Sequence, residues 1–463
     1  MGEQPTTTAG GRCSKPLQYG KSLLPQFQFD PTYRNLNHGS FGTYPLFIRD
    51  RFREYQSQSE FQPDIFIRYT YPKLLASSRA AIASLLNVPT DTCVFVPNAT
   101  TGVNTVLRNL VFNPDGKDTI VFFDTIYGGC GKTVDYVLED RRGKVSSRCI
   151  PLSYPCSDQA VIDAFVSAIA DEKAKGNRPR VAIYDVVTSQ PGIRFPFEEI
   201  TAICREHGIL SCIDGAQGVG MVRIDLSATD PDFFVSNCHK WLHVPRGCAV
   251  FYVPERNQGL IRSSLPTSHG FVPLPEFAQK RLNELAPSDK KNAWVNQFNF
   301  VGTVDNSPYL CVGDAIQWRK EVLGGEERIV SELMALAREG GKIVAESVGG
   351  KVLDNEEGTL TRCSMVNVVL PLGVEGEAGL KEEGKEEEVF EVKKEDAAAV
   401  GQFIVEKLTQ EYKTFIPIFV YKGRWLSRLS AQVYLDLEDF DWAGTVLKEI
   451  IEMIKKGEYR QTE

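Results

Sequence analysis

Histidine is scarce in this chain, with five among 463 residues, and no two cysteines are spaced Cys-x-x-Cys. His239 and His243 have helical i, i+4 spacing, but Lys240 stands where a zincin motif needs glutamate. No metal is therefore expected. No apolar run approaches the ~18 residues of a membrane span, and the polar first 19 residues lack the apolar core of a secretory signal. Met1-Gly2 with Thr6 formally fits a myristoylation pattern, yet Glu3, Pro5 and the missing basic cluster favour a plain tail. A basic excess is also lacking: 52 Lys and Arg against 60 Asp and Glu give a net charge of −8, which argues against nucleic acid or a membrane as partner. Cysteine is present, but eleven scattered residues do not make a disulfide framework in a chain this long. A reducing cytoplasmic setting is the expectation.

What remains is an ordinary soluble composition, 42% hydrophobic and 24% charged. Its length is enough for about two or three domains. Short apolar runs at 93–96, 119–123, 148–152, 181–187, 210–213, 233–235 and 249–253 read as strands. Longer amphipathic stretches such as 159–170 and 197–207 read as helices between them. This alternation predicts an α/β fold with a large, mainly parallel, seven-stranded sheet, whose ligands bind at the carboxyl ends of the strands. Beyond residue 330 the pattern becomes a smaller α+β unit, with a helix over 333–347, strands near Val352 and 365–370, and a final helix from Asp441. The expected division is a tail at 1–30, a large domain at 31–330 and a small C-terminal domain at 331–463. A charged stretch near 373–394, rich in Glu, Lys and Gly, reads as a solvated insertion.

The chemistry concentrates around Asp214-Gly215-Ala216-Gln217 and Ser236-Asn237-Cys238-His239-Lys240. An acid ending one strand and a lysine just past the next suit pyridoxal 5'-phosphate (PLP): the lysine condenses with the aldehyde, and the carboxylate keeps the ring nitrogen protonated. Asn98-Ala99-Thr100-Thr101-Gly102 opens an amphipathic segment after a strand, either as a simple cap or as a phosphate cradle at a helix N-terminus. Gln217 is placed to donate to the cofactor's phenolic oxygen. Thr188 and Ser189 end another strand, where their hydroxyls touch the ring or cap the next turn. Tyr127 sits past a strand end before two glycines; it can stack on the cofactor and carry a proton.

These residues resemble the class V branch of fold-type-I PLP enzymes, and Asn37-His38-Gly39-Ser40-Phe41-Gly42 resembles a signature of its isopenicillin-N-epimerase-like group. The resemblance implies Lys240 as Schiff-base residue and Ala99 and Thr100 as phosphate turn, with Ser236 or Asn237 and His239 as further phosphate contacts. It also implies that the Asn37–His38 loop lies at the substrate, that Arg428, or less convincingly Arg424, grips the substrate α-carboxylate, and that Thr303 reaches the phosphate of a neighbouring subunit in a homodimer. Stretches at 34–42, 102–109 and 265–273 look like the hercynylcysteine sulfoxide lyases of fungi. Cys238 departs from the small Gly, Ser or Thr usual in class V. The implied reaction is a β-elimination from an amino-acid sulfoxide, in which Lys240 takes the Cα proton and Tyr127 protonates the departing sulfur. A thiol reductant then converts the sulfenic acid to ergothioneine, with pyruvate and ammonia as the other products. A cysteine desulfurase would need a mobile nucleophilic cysteine, whereas Cys311 and Cys363 sit among apolar neighbours. An epimerase or aminotransferase would share every cofactor residue.

Overall fold

The computed structural model describes residues 17–279, 281, 285, 292–377 and 389–460. The seven apolar runs form one sheet: β1 (Cys93–Val96), β2 (Asp118–Phe123), β3 (Val145–Ile150), β4 (Arg178–Asp185), β5 (Leu210–Asp214), β6 (Phe233–Ser236) and β7 (Ala249–Tyr252), in the order β1-β7-β6-β5-β4-β2-β3. Strands β2 to β6 pair in parallel, and β7 runs antiparallel to both β6 and β1. β1, β6 and β7 are buried at every position, which is why they read as unbroken apolar runs rather than alternating ones. β3 starts earlier than its apolar run suggests, because this edge strand alternates buried and exposed residues. β4 ends before Val187, whose backbone turns away to bridge Arg194.

Helices cover both faces. Ala99–Asn109 and Gly128–Asp140 pack with Ile183, Cys212 and Val235 on one side. Asp158–Ala174 and Phe197–Glu206 pack with Val121, Tyr184 and Ile213 on the other. Among the described residues no helix is long and apolar enough to cross a membrane.

A second sheet follows, with β8 (Lys351–Val352), β9 (Met365–Val374), β10 (Phe390–Val392), β11 (Ile418–Tyr421) and β12 (Arg424–Ser430) in the order β10-β9-β12-β11, β8 lying on β9. Helix Glu326–Val348 packs on β9 and against Leu437–Lys455. Much of the expected insertion at 373–394 lies outside the described residues; at its borders β9 continues to Val374 and β10 pairs with it in parallel. The stretch expected as a tail at 1–30 needs correction over its described part. Leu23 and Phe27 are buried in the core of this second sheet, and the Gly20 N–H donates to the Val433 carbonyl. Two large apolar side chains close together are poor candidates for solvent, so the segment docks.

Candidate active site

Asp185, Asp214 and Val235 are register partners across β4, β5 and β6, so the two carboxyls stand side by side on the carboxyl rim of the sheet. Asp214 accepts from the Ala216 N–H at 2.9 Å and from the Cys130 thiol at 3.3 Å. Burial raises its pKa, opposed by these donors and by Lys240. Lys240 lies in the short helix Cys238–Trp241 that follows β6. Burial and the Arg428 charge lower its amine to about 8, against the pull of Asp214 and Asp185. No ion pair within the fold joins Lys240, Asp214 or Arg428 to an opposite charge among the described residues.

Helix Ala99–Asn109 brings its N-terminus to this rim. Gly102 makes that approach possible, since a β-carbon there would meet the Val235 side chain at 2.6 Å. Asn98 caps the helix through the Thr101 N–H at 2.8 Å, and the Ala99 N–H donates to Asn237 Oδ1 at 2.8 Å. Thr100 lies between these two bonded amides. His239 Nδ1 faces the Cys248 carbonyl at 3.0 Å, and burial lowers its pKa to about 4. The Ser236 hydroxyl ties the Gly215 carbonyl to the Val219 N–H, so it braces the turn after β5.

Tyr127 precedes helix Gly128–Asp140, one turn before Cys130, and is 49% exposed. Its ring edge and the Thr100 methyl both flank Gly129. Gln217 donates to the Gly39 carbonyl at 2.6 Å and accepts from Trp241 Nε1 at 2.7 Å, tying the N-terminal loop to the lysine segment. Arg428 is buried on β12; its guanidinium donates to the Ser189 carbonyl at 2.6 Å, to Asn37 Oδ1 at 3.0 Å and to the Ser40 hydroxyl at 2.8 Å, while its Nε has no partner. Arg424, on the same strand, donates instead to the Leu370 carbonyl.

Two sequence expectations change here. His38 is fully buried with both ring nitrogens engaged, Nε2 at the Lys240 carbonyl and Nδ1 at the Tyr434 hydroxyl, so neither is free for a substrate. Thr188 is buried and its hydroxyl donates to the Pro191 carbonyl, so it caps the turn after β4 rather than offering its proton to a cofactor. Thr303 lies exposed beside Gly302 and Val304, in a groove with Gln56, Phe66 and Tyr71.

Residues 69–280 match the family model described as aminotransferase class-V. Over the whole length, the chain is 36% identical to the L-cysteine desulfhydrase-like protein lolT1 of Epichloe uncinata, covering 97% of this chain and 99% of that protein. The chain belongs to the class V aminotransferase family. It is also 28% identical to the hercynylcysteine sulfoxide lyase of Schizosaccharomyces pombe, over 93% of this chain and 97% of the relative. Among solved structures, a complex of the cystine C–S lyase C-DES with its reaction product cysteine persulfide has the same fold, with a TM-score of 0.68 at 19% identity over 92% of this chain and 98% of that one.

The cofactor of this class V enzyme is pyridoxal 5'-phosphate. The residues present suit it: an amine lowered toward neutrality, a buried carboxylate with no cation of its own, and a helix N-terminus beside them. Sequence reasoning missed Asp185 and Cys130. It also missed Arg319, which is buried and donates to the Trp241 and Gly220 carbonyls while paired with Glu326. Asp185 stands among the apolar residues ending a strand, and Arg319 gives no signal apart from its helix; only the folded chain brings them to the site.

Proposed function

We propose that this class V enzyme is a PLP-dependent carbon–sulfur lyase that cleaves hercynylcysteine sulfoxide by β-elimination. The observation that carries the reading is the pairing of a poised lysine with a buried, acid-free arginine: Arg428 offers its guanidinium among Asn37, Ser40 and Ser189 with no carboxylate to neutralise it. An α-carboxylate is the anion such a fork fits. PLP supplies an electron sink for the negative charge left when the Cα proton departs.

In this reading Lys240 holds the cofactor and then removes the Cα proton, a role suited to an amine titrating near 8. Asp214 holds the ring nitrogen. Thr100, with Asn237 and His239, holds the phosphate, while the Ala99 N–H expected there is given to Asn237; Gln217 and Ser189 border the ring. Tyr127 protonates the sulfur as the C–S bond breaks. The sulfenic acid leaves and a thiol reduces it, with loss of water and formation of the thiol's disulfide. The remaining three-carbon fragment takes up water and gives pyruvate and ammonia. The cytoplasm and a homodimer completed by Thr303 belong to the same proposal.

A second reading is favoured by the relative at 36% identity, whose name is desulfhydrase-like. The same residues would then eliminate sulfide from L-cysteine. A desulfurase finds less support, because Cys363 is buried, donates to the Met365 carbonyl and has its thiol pushed up to about 11. Mass spectrometry of purified enzyme with PLP, hercynylcysteine sulfoxide and a thiol should reveal ergothioneine and pyruvate in equal amounts. Sulfide from L-cysteine, with the sulfoxide untouched, would select the second reading.

A further inference from the structure

Two side chains of the second sheet reach the same turn of the large domain. Asn367 on β9 and Arg428 on β12 are register partners in an antiparallel pair, so they leave one face of the sheet side by side. Both are buried. The turn they meet follows β4 and is closed by the Thr188 N–H donating to the Ile193 carbonyl. Asn367 holds its Gly192 end: Oδ1 accepts from the Gly192 N–H at 2.9 Å, and Nδ2 donates to the Gly192 carbonyl at 2.8 Å. Arg428 holds its Ser189 end, donating to that carbonyl at 2.6 Å.

Asn367 thus pairs with both backbone polar groups of one residue, and Gly192 cannot shift along β9 without leaving a buried group unpaired. What Gly192 touches gives this tie its consequence. A β-carbon built on it would lie 2.8 Å from Arg428 Cδ and 3.0 Å from the Met365 methyl. The bare glycine therefore lies against the alkyl stem of Arg428, just before the guanidinium. The turn meets Arg428 at two points, the stem at Gly192 and one fork nitrogen at Ser189. The other fork nitrogen is held by Asn37 and Ser40 of the N-terminal loop. A long side chain loses rotamer freedom when it grips an anion, and one already held at stem and fork has less left to lose.

We propose that Asn367 is a positioning residue that, through Gly192, holds the Arg428 guanidinium in the orientation that receives the α-carboxylate of the amino-acid substrate. Asn367 acts through the turn and not by touching the substrate. This rests on reading Arg428 as the carboxylate grip.

The test is the affinity of the holoenzyme for L-alanine, which has the substrate's amine and carboxylate but no β-leaving group, read from the change in cofactor absorbance. Asn367→Ala removes both bonds to Gly192; Gly192→Ala keeps them and presses a methyl on Arg428. Each should weaken L-alanine binding about tenfold, the effect of about one lost hydrogen bond, with PLP affinity within about threefold of wild type. In an Arg428→Gln background, Asn367→Ala should weaken it by less than about twofold more, since no grip is left to position. An Asn367 that only braces the fold would weaken PLP and L-alanine together, or weaken L-alanine equally in both backgrounds. Either result, or unchanged L-alanine affinity in Asn367→Ala, overturns the proposal; if that variant does not fold, Gly192→Ala decides by the same two affinities. Unchanged L-alanine affinity in Arg428→Gln alone would strike the reading of Arg428, and the proposal with it. A loss there without one in Asn367→Ala overturns the proposal and leaves that reading standing.

Discussion

His38 Nε2 lies 2.7 Å from the carbonyl oxygen of Lys240, a contact between residues 202 positions apart in the chain. The bond fixes the tautomer, because a carbonyl can only accept: Nε2 carries the proton, and Nδ1 accepts from the Tyr434 hydroxyl at 3.0 Å. Asn35 Nδ2 completes the chain by donating to that hydroxyl at 2.8 Å. The loop 37–42 is thereby pinned to the backbone of the lysine segment. Gly42 completes the seam, since a β-carbon there would lie 1.9 Å from the His239 carbonyl oxygen.

A neutral His38 makes stability depend on pH. Burial lowers its pKa to about 3 from an ordinary 6.5. The unfolded chain therefore binds a proton below pH 6.5 that the folded chain refuses until about pH 3. Its stabilising contribution is complete above pH 6.5 and falls as pH drops through that window, with a slope of up to about 1.4 kcal/mol per pH unit. His38→Gln should remove one proton's share of that slope in urea denaturation measured from pH 6.5 to 4. An unchanged slope would show that His38 titrates normally.

Lys240→Ala should retain weak PLP binding through the helix N-terminus at Ala99–Thr100 while losing the covalent cofactor linkage and turnover. Borohydride reduction of wild-type enzyme followed by peptide mapping should label Lys240. A label on any other lysine refutes the assignment.

Arg428→Gln should raise KM for the amino-acid substrate by about 10- to 150-fold, the loss of charged hydrogen bonds worth about 1.5–3 kcal/mol. PLP affinity should change little, because Arg428 grips the substrate in this reading. Steady-state kinetics and PLP titration separate the two effects. An unaltered KM would leave the guanidinium a purely structural tie between Ser189, Asn37 and Ser40.

The exposed Gly302-Thr303-Val304 loop leads to a prediction about assembly. Sedimentation should show a dimer, and Thr303→Ala should lose activity at limiting PLP but recover it at saturation. An active monomer contradicts this.

Much of the fold was legible because buried parallel strands announce themselves as apolar runs, and all seven of the large sheet lie within or beside such runs. β12 was not legible as a strand: Arg424, Ser427, Arg428 and Ser430 are buried polar residues on it, and a polar sequence conceals burial. At the site, Lys240 and Asp214 stand out through local pattern, each ending or following a strand. Asp185 and Cys130 come beside Asp214 only through register and packing, which no single segment of sequence contains. His38 drew attention as an active-site residue because its motif is right; the partners that occupy both its nitrogens come from Lys240 and Tyr434, far along the chain.

Tyr127→Phe is the most discriminating substitution, since it keeps the ring beside Gly129 and removes only the hydroxyl. The half-exposed position matters here: a phenol in contact with solvent can regain its proton after each turnover. If it protonates the departing sulfur, PLP affinity should hold while turnover falls by about 10²–10⁴-fold, the usual worth of a positioned general acid. In stopped-flow mixing the Cα proton should still be lost, so deuterium exchange from solvent into unreacted substrate should rise as elimination stalls. Wild-type turnover with no gain in exchange would mean that Tyr127 only stacks on the cofactor. His38 could not then take over, because both its nitrogens are engaged, and a solvent proton would be the remaining source.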